Sequence, residues 1–360
     1  MSLVLAVEID GDGAHPAAWR RSAHPPSQLL GPRRVRHVAE VAERAGFTLV
    51  TLEDDLLPPG GGGVAGRIGA VERAAFIAAS TSVLSVAPVI STTYTEPFHV
   101  SSQLASVDHI AAGRAGWVVA TSPRPEAAQA WGRPAADPGP EALDAVRVVR
   151  ALWDSWEDDA VIRDVATGRY LDRDRLHYVD FAGGTYTVKG PAIVPRPPQG
   201  QLVVLAPHGV VPDGELDVAL VSGADVDAVR RAAARTTTPL TFAELDVALD
   251  TSADEAGEAG ERVAALDRHT PWPASGHLRY TGSPGGLVAL LRDLDTRAGI
   301  DGVRLHPLVL DEDLAVLSQF VIPALIKDRL AARPLPGASL RQTLGLPRPQ
   351  NRYALPGGHA

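Results

Sequence analysis

The sequence contains no cysteine among its 360 residues. Disulfide bonds, thiolate metal sites, iron–sulfur clusters and cysteine nucleophiles are therefore excluded. Lysine is also scarce, because Lys189 and Lys327 are the only two, and the formal net charge is −9. A chain of this charge without a run of basic residues does not have the composition of a nucleic-acid-binding protein.

Long apolar runs are lacking as well. No stretch reaches the roughly 18 apolar residues that a helix needs to span a bilayer, so we expect no membrane partner. The first residues, MSLVLAVEIDGDG, have a short apolar run with no basic segment before it. This pattern is typical of a first strand rather than of a signal peptide, and we expect a cytoplasmic protein.

Several catalytic motifs are absent, among them G-x-S-x-G, S-x-x-K and the phosphate-binding G-x-x-x-x-G-K-[ST]. H-E-x-x-H is absent too. His99 and His109 lie ten residues apart on one predicted helix, about three turns, which is too far to share an ion. The sequence therefore predicts no metal site.

Apolar runs of strand length alternate with amphipathic helical segments along the chain. Continuous Val/Leu/Ala runs are typical of a parallel sheet that is covered on both faces. The predicted strands are Leu3–Ile9, Phe47–Leu52, Val83–Ile90, Gly116–Ala120, Leu202–Ala206, Asp217–Val221, Leu240–Ala248 and Gly302–His306. The predicted helices are Arg34–Ala45, Ala70–Ser80, His99–Ala112, Glu141–Ser155, Asp225–Arg235, Ser252–Leu266, Pro284–Ala298 and Leu314–Arg329.

Eight strands alternating with helices indicate an α/β fold, a (β/α)8 TIM barrel. A doubly wound open sheet is the alternative, but no G-x-G-x-x-G follows the first strand. We predict one domain over residues 1–360, with an insertion at about 158–198 between helix four and strand five. A hairpin is predicted at Tyr178–Val188, where Gly183-Gly184 suits a tight turn. A carboxyl-terminal extension covers about 330–360.

Hydroxyl side chains follow two successive predicted strands. Ser91-Thr92-Thr93-Tyr94 comes after the third strand, and Thr121-Ser122 comes after the fourth. A barrel builds its active site at the carboxyl ends of its strands, and hydroxyls can both donate and accept hydrogen bonds there. The same threonines also suit a cap on the following helix, and both roles are compatible. Three carboxylates, Glu53-Asp54-Asp55, follow the second strand. They could bind a cation or the polar edge of a ligand, or they could form a turn that is exposed to solvent.

The stretch from Ser91 to Ser122, STTYTEPFHVSSQLASVDHIAAGRAGWVVATS, resembles the bacterial luciferase-like flavin-dependent monooxygenases. The similarity is to the branch that contains nitrilotriacetate and dibenzothiophene-sulfone monooxygenases. That branch has Thr-Thr-Tyr-x-x-Pro-Tyr-His, Leu-Asp-His and Gly-Arg-x-x-Trp-Asn-Val-Val-Thr-Ser in this region. The runs Arg150–Trp156, Pro195–Gly200 and Ser339–Pro347 also resemble it.

The resemblance implies an FMN-dependent two-component monooxygenase. Such a protein takes reduced FMN from a separate, transiently bound flavin reductase and uses dioxygen to oxidise a small organic substrate. The cofactor residues that it implies are Asp54, Thr92, Thr93, Thr121 and Ser122. The substrate candidates are Trp19, Tyr94, His208 and His306, and no general acid or base is assigned. A homodimer, or a heterodimer with a homologue, is the expected assembly.

The sequence departs from this family at three places. Val118 replaces an asparagine, Asp137–Glu141 lacks a His-x-x-Arg-Tyr pattern, and Ala206–Gly209 replaces a Gly-Ser-Ser-like turn that binds the flavin phosphate. His208, Ser222 and Arg230 are the alternative phosphate contacts. Two other functions therefore stay open: a degenerate paralogue that keeps the barrel in a supporting role without FMN, and an oxidoreductase dependent on the deazaflavin F420.

Overall fold

The computed structural model describes residues 2–58, 66–251 and 257–354. Its strands are β1 (Val4–Glu8), β2 (Leu49–Leu52), β3 (Ser85–Ser91), β4 (Gly116–Ala120), β5 (Val161–Asp164), β6 (Arg169–Leu171), β7 (Phe181–Ala182), β8 (Thr187–Val188), β9 (Val203–Pro207), β10 (Val218–Val221), β11 (Leu240–Leu249), β12 (Leu278–Gly282) and β13 (Gly302–Pro307). The helices are α1 (Pro32–Ala45), α2 (Ala70–Ser80), α3 (Pro97–Ile110), α4 (Pro125–Ala130), α5 (Pro138–Asp154), α6 (Val226–Ala233), α7 (Glu258–Asp267), α8 (Pro284–Asp293), α9 (Leu310–Val316), α10 (Ile322–Lys327) and α11 (Leu340–Thr343).

Eight parallel strands close into a barrel in the order β1, β2, β3, β4, β9, β10, β11, β13. Closure is direct, because Val4 of β1 pairs with Gly302 of β13 while Ala6 pairs with Leu49 of β2. The predicted (β/α)8 barrel is confirmed, and the alternative open sheet is wrong. In the described ranges, no helix combines the length and the apolar character needed to cross a bilayer.

The barrel interior is apolar near the amino ends of its strands, and the carboxyl-terminal segment closes it there. Leu340, Leu344 and Leu346 are buried in the same cluster as strand residues such as Val4 and Phe242. Ser339 begins α11 with a capping box that it forms with Gln342, which fixes the entry of this segment. A Cβ atom on Gly116 would lie 3.2 Å from a Leu340 methyl group, so the segment packs closely against β4.

Three features differ from a regular alternation of strands and helices. The ninth parallel strand, β12, pairs with the outer half of β11 and was not predicted. β9 and β10 are joined by a loop that has only a short 3-10 turn at Asp213–Glu215. Residues 158–198 contain two small antiparallel pairs, β5 with β6 and β7 with β8, and the second is the predicted hairpin in a shorter form.

Candidate functional site

The predicted hydroxyls meet at the carboxyl ends of β3 and β4. We call Ser91, Thr92, Thr93, Thr121 and Ser122 the hydroxyl cluster. Thr92 donates to the Ala120 carbonyl through its N–H at 2.8 Å and its Oγ1 at 3.1 Å. The Ser122 N–H donates to Thr93 Oγ1 at 3.0 Å. The structure therefore brings together four of the five predicted cofactor residues.

Two hydroxyls of this cluster have no hydrogen-bond partner within the part of the chain that the structure describes. They are Ser91 Oγ and Ser122 Oγ, and both atoms are buried. Leaving a buried polar group unpaired costs about 1–3 kcal/mol. A polar ligand that reached this point would find two hydroxyls to pair with and would relieve this cost.

Asp54, the fifth predicted cofactor residue, lies in the loop after β2 and accepts a backbone hydrogen bond at the start of α2. Its Oδ2 accepts from the Ala70 N–H at 2.7 Å, at the start of α2, and its Oδ1 accepts from the Asp55 N–H at 2.9 Å. Asp55 in turn forms an ion pair with Arg124, in the loop after β4. This ion pair connects the loop after β2 with the loop after β4. Both oxygens of the Asp54 carboxylate already accept hydrogen bonds from backbone N–H groups.

Tyr94 is built into the protein rather than presented at its surface. Its side chain is buried against Ala127 and Ala128 of α4. The Tyr94 hydroxyl accepts from the Ala136 N–H at 3.1 Å, and the Tyr94 N–H donates to Glu141 at 3.1 Å. The residue has a φ of 64°, which is uncommon for a bulky side chain. These contacts over-determine its position, as is frequent beside binding sites.

The other substrate candidates lie at separate places. Trp19 borders a cavity of about 260 Å³ at the carboxyl end of β1, together with Leu52 and Arg73, and the hydroxyl cluster is not in its described lining. His208 lies in the loop after β9, where Nδ1 is 3.4 Å from an Asp213 oxygen. His306 is buried inside the barrel. The sequence predicted the same role for Trp19, His208 and His306, whereas the structure places them in three different surroundings.

His306 belongs to a charged network on four neighbouring strands of the barrel, β2, β1, β13 and β11. We call it the polar layer, and its members are Glu8, Thr51, Glu244, Arg304 and His306. Arg304 donates to Glu8 at 2.6 Å, to Thr51 at 2.8 Å and to Glu244 at 3.2 Å. Thr51 donates to Glu8 at 2.6 Å, and His306 Nε2 forms a hydrogen bond with Glu244. Both carboxylates of the layer, Glu8 and Glu244, therefore contact the Arg304 guanidinium.

The polar layer sets the protonation of its carboxyl groups. Burial by itself raises the pKa of Glu244, but the charges of Arg304 and His306 outweigh it and lower the pKa to about 2. The same balance lowers the pKa of Glu8. Glu53, at the edge of the layer, has its pKa raised to about 8 by burial and then by the Glu8 charge. The Glu53 side chain is nevertheless 46% exposed and lies 3.7 Å from Arg304, so solvent and this cation both oppose the rise in its pKa.

Sequence reasoning missed the polar layer, apart from His306. Its members are single charged or polar residues within apolar runs, for example Glu244 in LTFAELDVAL and Arg304 in GVRLHP. Residues two apart on a strand point to the same face, and Arg304 and His306, like Glu244 and Asp246, are spaced in this way. Charge at alternate positions of a buried strand was the signal that could have identified the layer.

The hydroxyl cluster fits the polar edge of a flavin ring, since its two unpaired hydroxyls can donate or accept. The segment after β9 does not fit the flavin phosphate. Phosphate is commonly bound at a helix amino terminus by backbone N–H groups. Here β9 ends at Pro207, which has no N–H, and no α-helix lies between β9 and β10. The basic side chain of this loop, His208, faces Asp213.

Comparisons with known proteins agree with the fold and the motifs. The pattern of the luciferase-like monooxygenase family matches residues 14–271. An N-acetyl-S-(2-succino)cysteine monooxygenase of Bacillus subtilis (strain 168) is 34% identical over 213 residues, which are 56% of this chain and 47% of that protein. One of the subunits of pristinamycin IIA synthase from Streptomyces pristinaespiralis is 32% identical over 332 residues, which are 92% of this chain and 94% of that protein.

Among solved structures, a riboflavin lyase with modified FMN and substrate riboflavin superposes with a TM-score of 0.82 over all of both chains, at 21% identity. A long-chain alkane monooxygenase superposes with a TM-score of 0.81 over 99% of this chain and 98% of the other, at 20% identity. At such identities the likeness shows the fold alone. The chain spans about half the length of several curated relatives that it matches, as the 47% coverage illustrates.

Proposed function

Because the chain belongs to the luciferase-like monooxygenase family, we propose that it is a flavin-dependent monooxygenase. It would use reduced FMN from a separate reductase, together with dioxygen, to oxidise a small organic substrate. The observation that carries the proposal is the hydroxyl cluster, with two buried, unpaired hydroxyls at the carboxyl ends of β3 and β4. That is the end of a barrel where active sites are built.

The flavin, when bound, would supply the redox chemistry, and the chain would bind and orient it. In this proposal Ser91 and Ser122 hydrogen bond with the polar edge of the ring. Thr92 and Thr93 hold the two strand ends together through their bonds to Ala120 and Ser122. We place the substrate in the cavity that Trp19 borders. We also propose a cytoplasmic dimer, with itself or with a homologue.

The test is an anaerobic titration with reduced FMN, alongside oxidised FMN and riboflavin, followed by absorbance and fluorescence. We expect micromolar binding of reduced FMN. Since no phosphate site is evident after β9, riboflavin should bind within about threefold of FMN, which corresponds to less than about 1 kcal/mol. Absence of binding up to millimolar flavin would refute the proposal.

A matched pair of serine variants sharpens this test. Ser91→Ala removes an unpaired hydroxyl, so it should leave the melting temperature unchanged or raise it while weakening flavin binding about 3- to 10-fold, the value of one hydrogen bond. Ser106→Ala is the control, because its hydroxyl already donates to the Ser102 carbonyl at 2.8 Å on α3. Equal flavin affinity in both variants would remove Ser91 from the site.

A second candidate function is that of a supporting protein in a hetero-oligomer, which does not bind flavin alone. The missing helix between β9 and β10 favours it, as does the similarity over nearly the whole chain to a protein that is named as one of the subunits of a synthase. The companion protein of the same synthase is 31% identical over 219 residues, which are 46% of its length. Under this hypothesis, a longer homologue that resembles the companion protein would co-elute with this chain in size-exclusion chromatography. Flavin would then bind the complex and not the isolated chain.

A further inference from the structure

Two histidines and a glutamate converge at the carboxyl-end side of the barrel. Glu244 comes from β11, His306 from the neighbouring strand β13, and His277 from the segment just before β12. One ligand atom from each of the three lies within 4.8 Å of the other two. Glu244 and His306 are buried, and His277 is half-buried, which leaves one side of the group open for an ion to enter.

His277 is oriented by a carboxylate behind it. Its Nδ1 lies 2.8 Å from Asp246 Oδ1. Asp246 is itself held by the Ser275 hydroxyl at 2.8 Å and by Arg279 at 3.3 Å. With Nδ1 engaged, Nε2 is the nitrogen that remains for a ligand. A carboxylate that holds the far nitrogen of an imidazole is the usual companion of a metal-binding histidine.

Glu244 is oriented in the same manner by a cation. Arg304 donates to Oε1 at 3.2 Å, which leaves Oε2 facing His306. The two imidazole rings lie next to each other, with centroids 4.6 Å apart and planes inclined by 30°. Arg304 also contacts Glu8, so its charge is shared and the group keeps negative charge to offset a cation.

We propose that Glu244, His277 and His306 bind a divalent first-row transition metal ion. Two imidazoles and one carboxylate form a ligand set that zinc and non-haem iron(II) use, with at least one coordination position open. An ion between the three would replace the hydrogen bond between Glu244 and His306, and each imidazole would coordinate in its neutral form. This proposal does not depend on flavin binding.

A simple ion pair between Glu244 and His306 is the competing explanation, and it makes a different prediction. An ion pair requires neither His277 nor the carboxylate of Asp246 behind it. Metal binding requires both, because His277 supplies a third ligand and Asp246 fixes its orientation. Variants at His277 and Asp246 therefore distinguish the two explanations without altering the pair itself.

The experiment is a calorimetric titration of chelator-treated full-length protein with Zn²⁺ at pH 7.5, repeated with Co²⁺ and its visible absorption. We expect one ion per chain with a dissociation constant in the micromolar range or below. His277→Ala should weaken zinc binding at least about 10-fold, and Asp246→Asn should weaken it about 10- to 100-fold, as for other groups behind a metal ligand. Binding should also weaken as the pH falls, because protons compete for the imidazoles.

His269→Ala is the control, because His269 is exposed at the end of α7 and outside the group. It should bind zinc as the wild type does. If wild-type protein takes up no zinc at millimolar concentration, or if His277→Ala binds as well as His269→Ala does, the proposal is overturned. Circular dichroism melts of each variant show whether weakened binding comes from misfolding, and His277, which is only half-buried, is the position least prone to that.

Discussion

Removing the central cation of the polar layer gives a direct test of how the barrel tolerates buried charge. In Arg304→Met the side chain keeps much of its apolar length but no longer neutralises Glu8 and Glu244. Glu8 loses a contact at 2.6 Å and Glu244 one at 3.2 Å. Breaking a buried ion pair by removing one partner costs about 3–5 kcal/mol.

We expect this cost as a lower melting temperature at neutral pH. For large domains 1 kcal/mol shifts the melting temperature by about 2–4 °C, so a loss of about 3–5 kcal/mol should lower it by about 6–20 °C. Arg297→Met is the control: Arg297 contacts Asp293 at 3.1 Å on an exposed helix surface, and such pairs contribute about 0–1 kcal/mol. Both variants would be measured by calorimetry at several scan rates.

A double-mutant cycle isolates the contact itself. Glu8→Gln in the Arg304→Met background should destabilise far less than it does in the wild type, because the carboxylate it removes is already unpaired there. Coupling of about 1–3 kcal/mol is expected for residues in one network. If Arg304→Met melts like the wild type, or if the two changes are simply additive, the polar layer does not work as described.

Three further predictions concern residues outside the polar layer. Asp108 is buried, and burial raises its pKa from 3.8 to about 7. The Asp108 carboxyl therefore binds its proton more tightly in the folded protein than in the unfolded chain. The free energy of unfolding should fall by on the order of 4 kcal/mol as the pH rises from about 4 to 7. In denaturant titrations Asp108→Asn should not show this fall, and it should be more stable than the wild type at pH 8. Tyr94→Phe should lose about 1 kcal/mol, because the Ala136 N–H loses its acceptor; unchanged stability would show that water replaces it. Leu340→Ala should cost about 2–5 kcal/mol as a core truncation, whereas the exposed Leu335→Ala should cost little, and equal losses in urea unfolding would contradict the packing of α11.

The barrel could be predicted because most of its strands are continuous apolar runs of similar length. β12 was missed for the opposite reason: in LRYTG, exposed residues alternate with less exposed ones, and Arg279 lies in the middle. The helix near Leu314–Arg329 was confirmed in outline but begins earlier, at Leu310, and includes a π-helical segment at Leu317–Val321. The carboxyl half of the predicted helix Ser252–Leu266 is present in α7, and residues 252–256 lie outside the described part of the chain.

The candidate site could be predicted only where it is local in sequence. Ser91–Thr93 and Thr121–Ser122 follow strands that are adjacent in both sequence and space, so their approach follows from the barrel itself. The group formed by Glu244, His277 and His306 joins residues that are distant in sequence, since Glu244 and His306 lie 62 positions apart. No spacing rule connects them, since the segment before β12 turns back onto β11 through side-chain contacts that the sequence does not display.

The closure of the barrel also has a consequence for its synthesis. β1 finds its second neighbour only in β13, nearly 300 residues later, and the interior near the strand starts is filled by Leu340, Leu344 and Leu346. A nascent chain leaving the ribosome would therefore carry one unpaired strand edge through most of translation. Unpaired strand edges are templates for association with other chains. The interval between the synthesis of β1 and that of β13 is therefore the period in which the chain is most exposed to association with other chains.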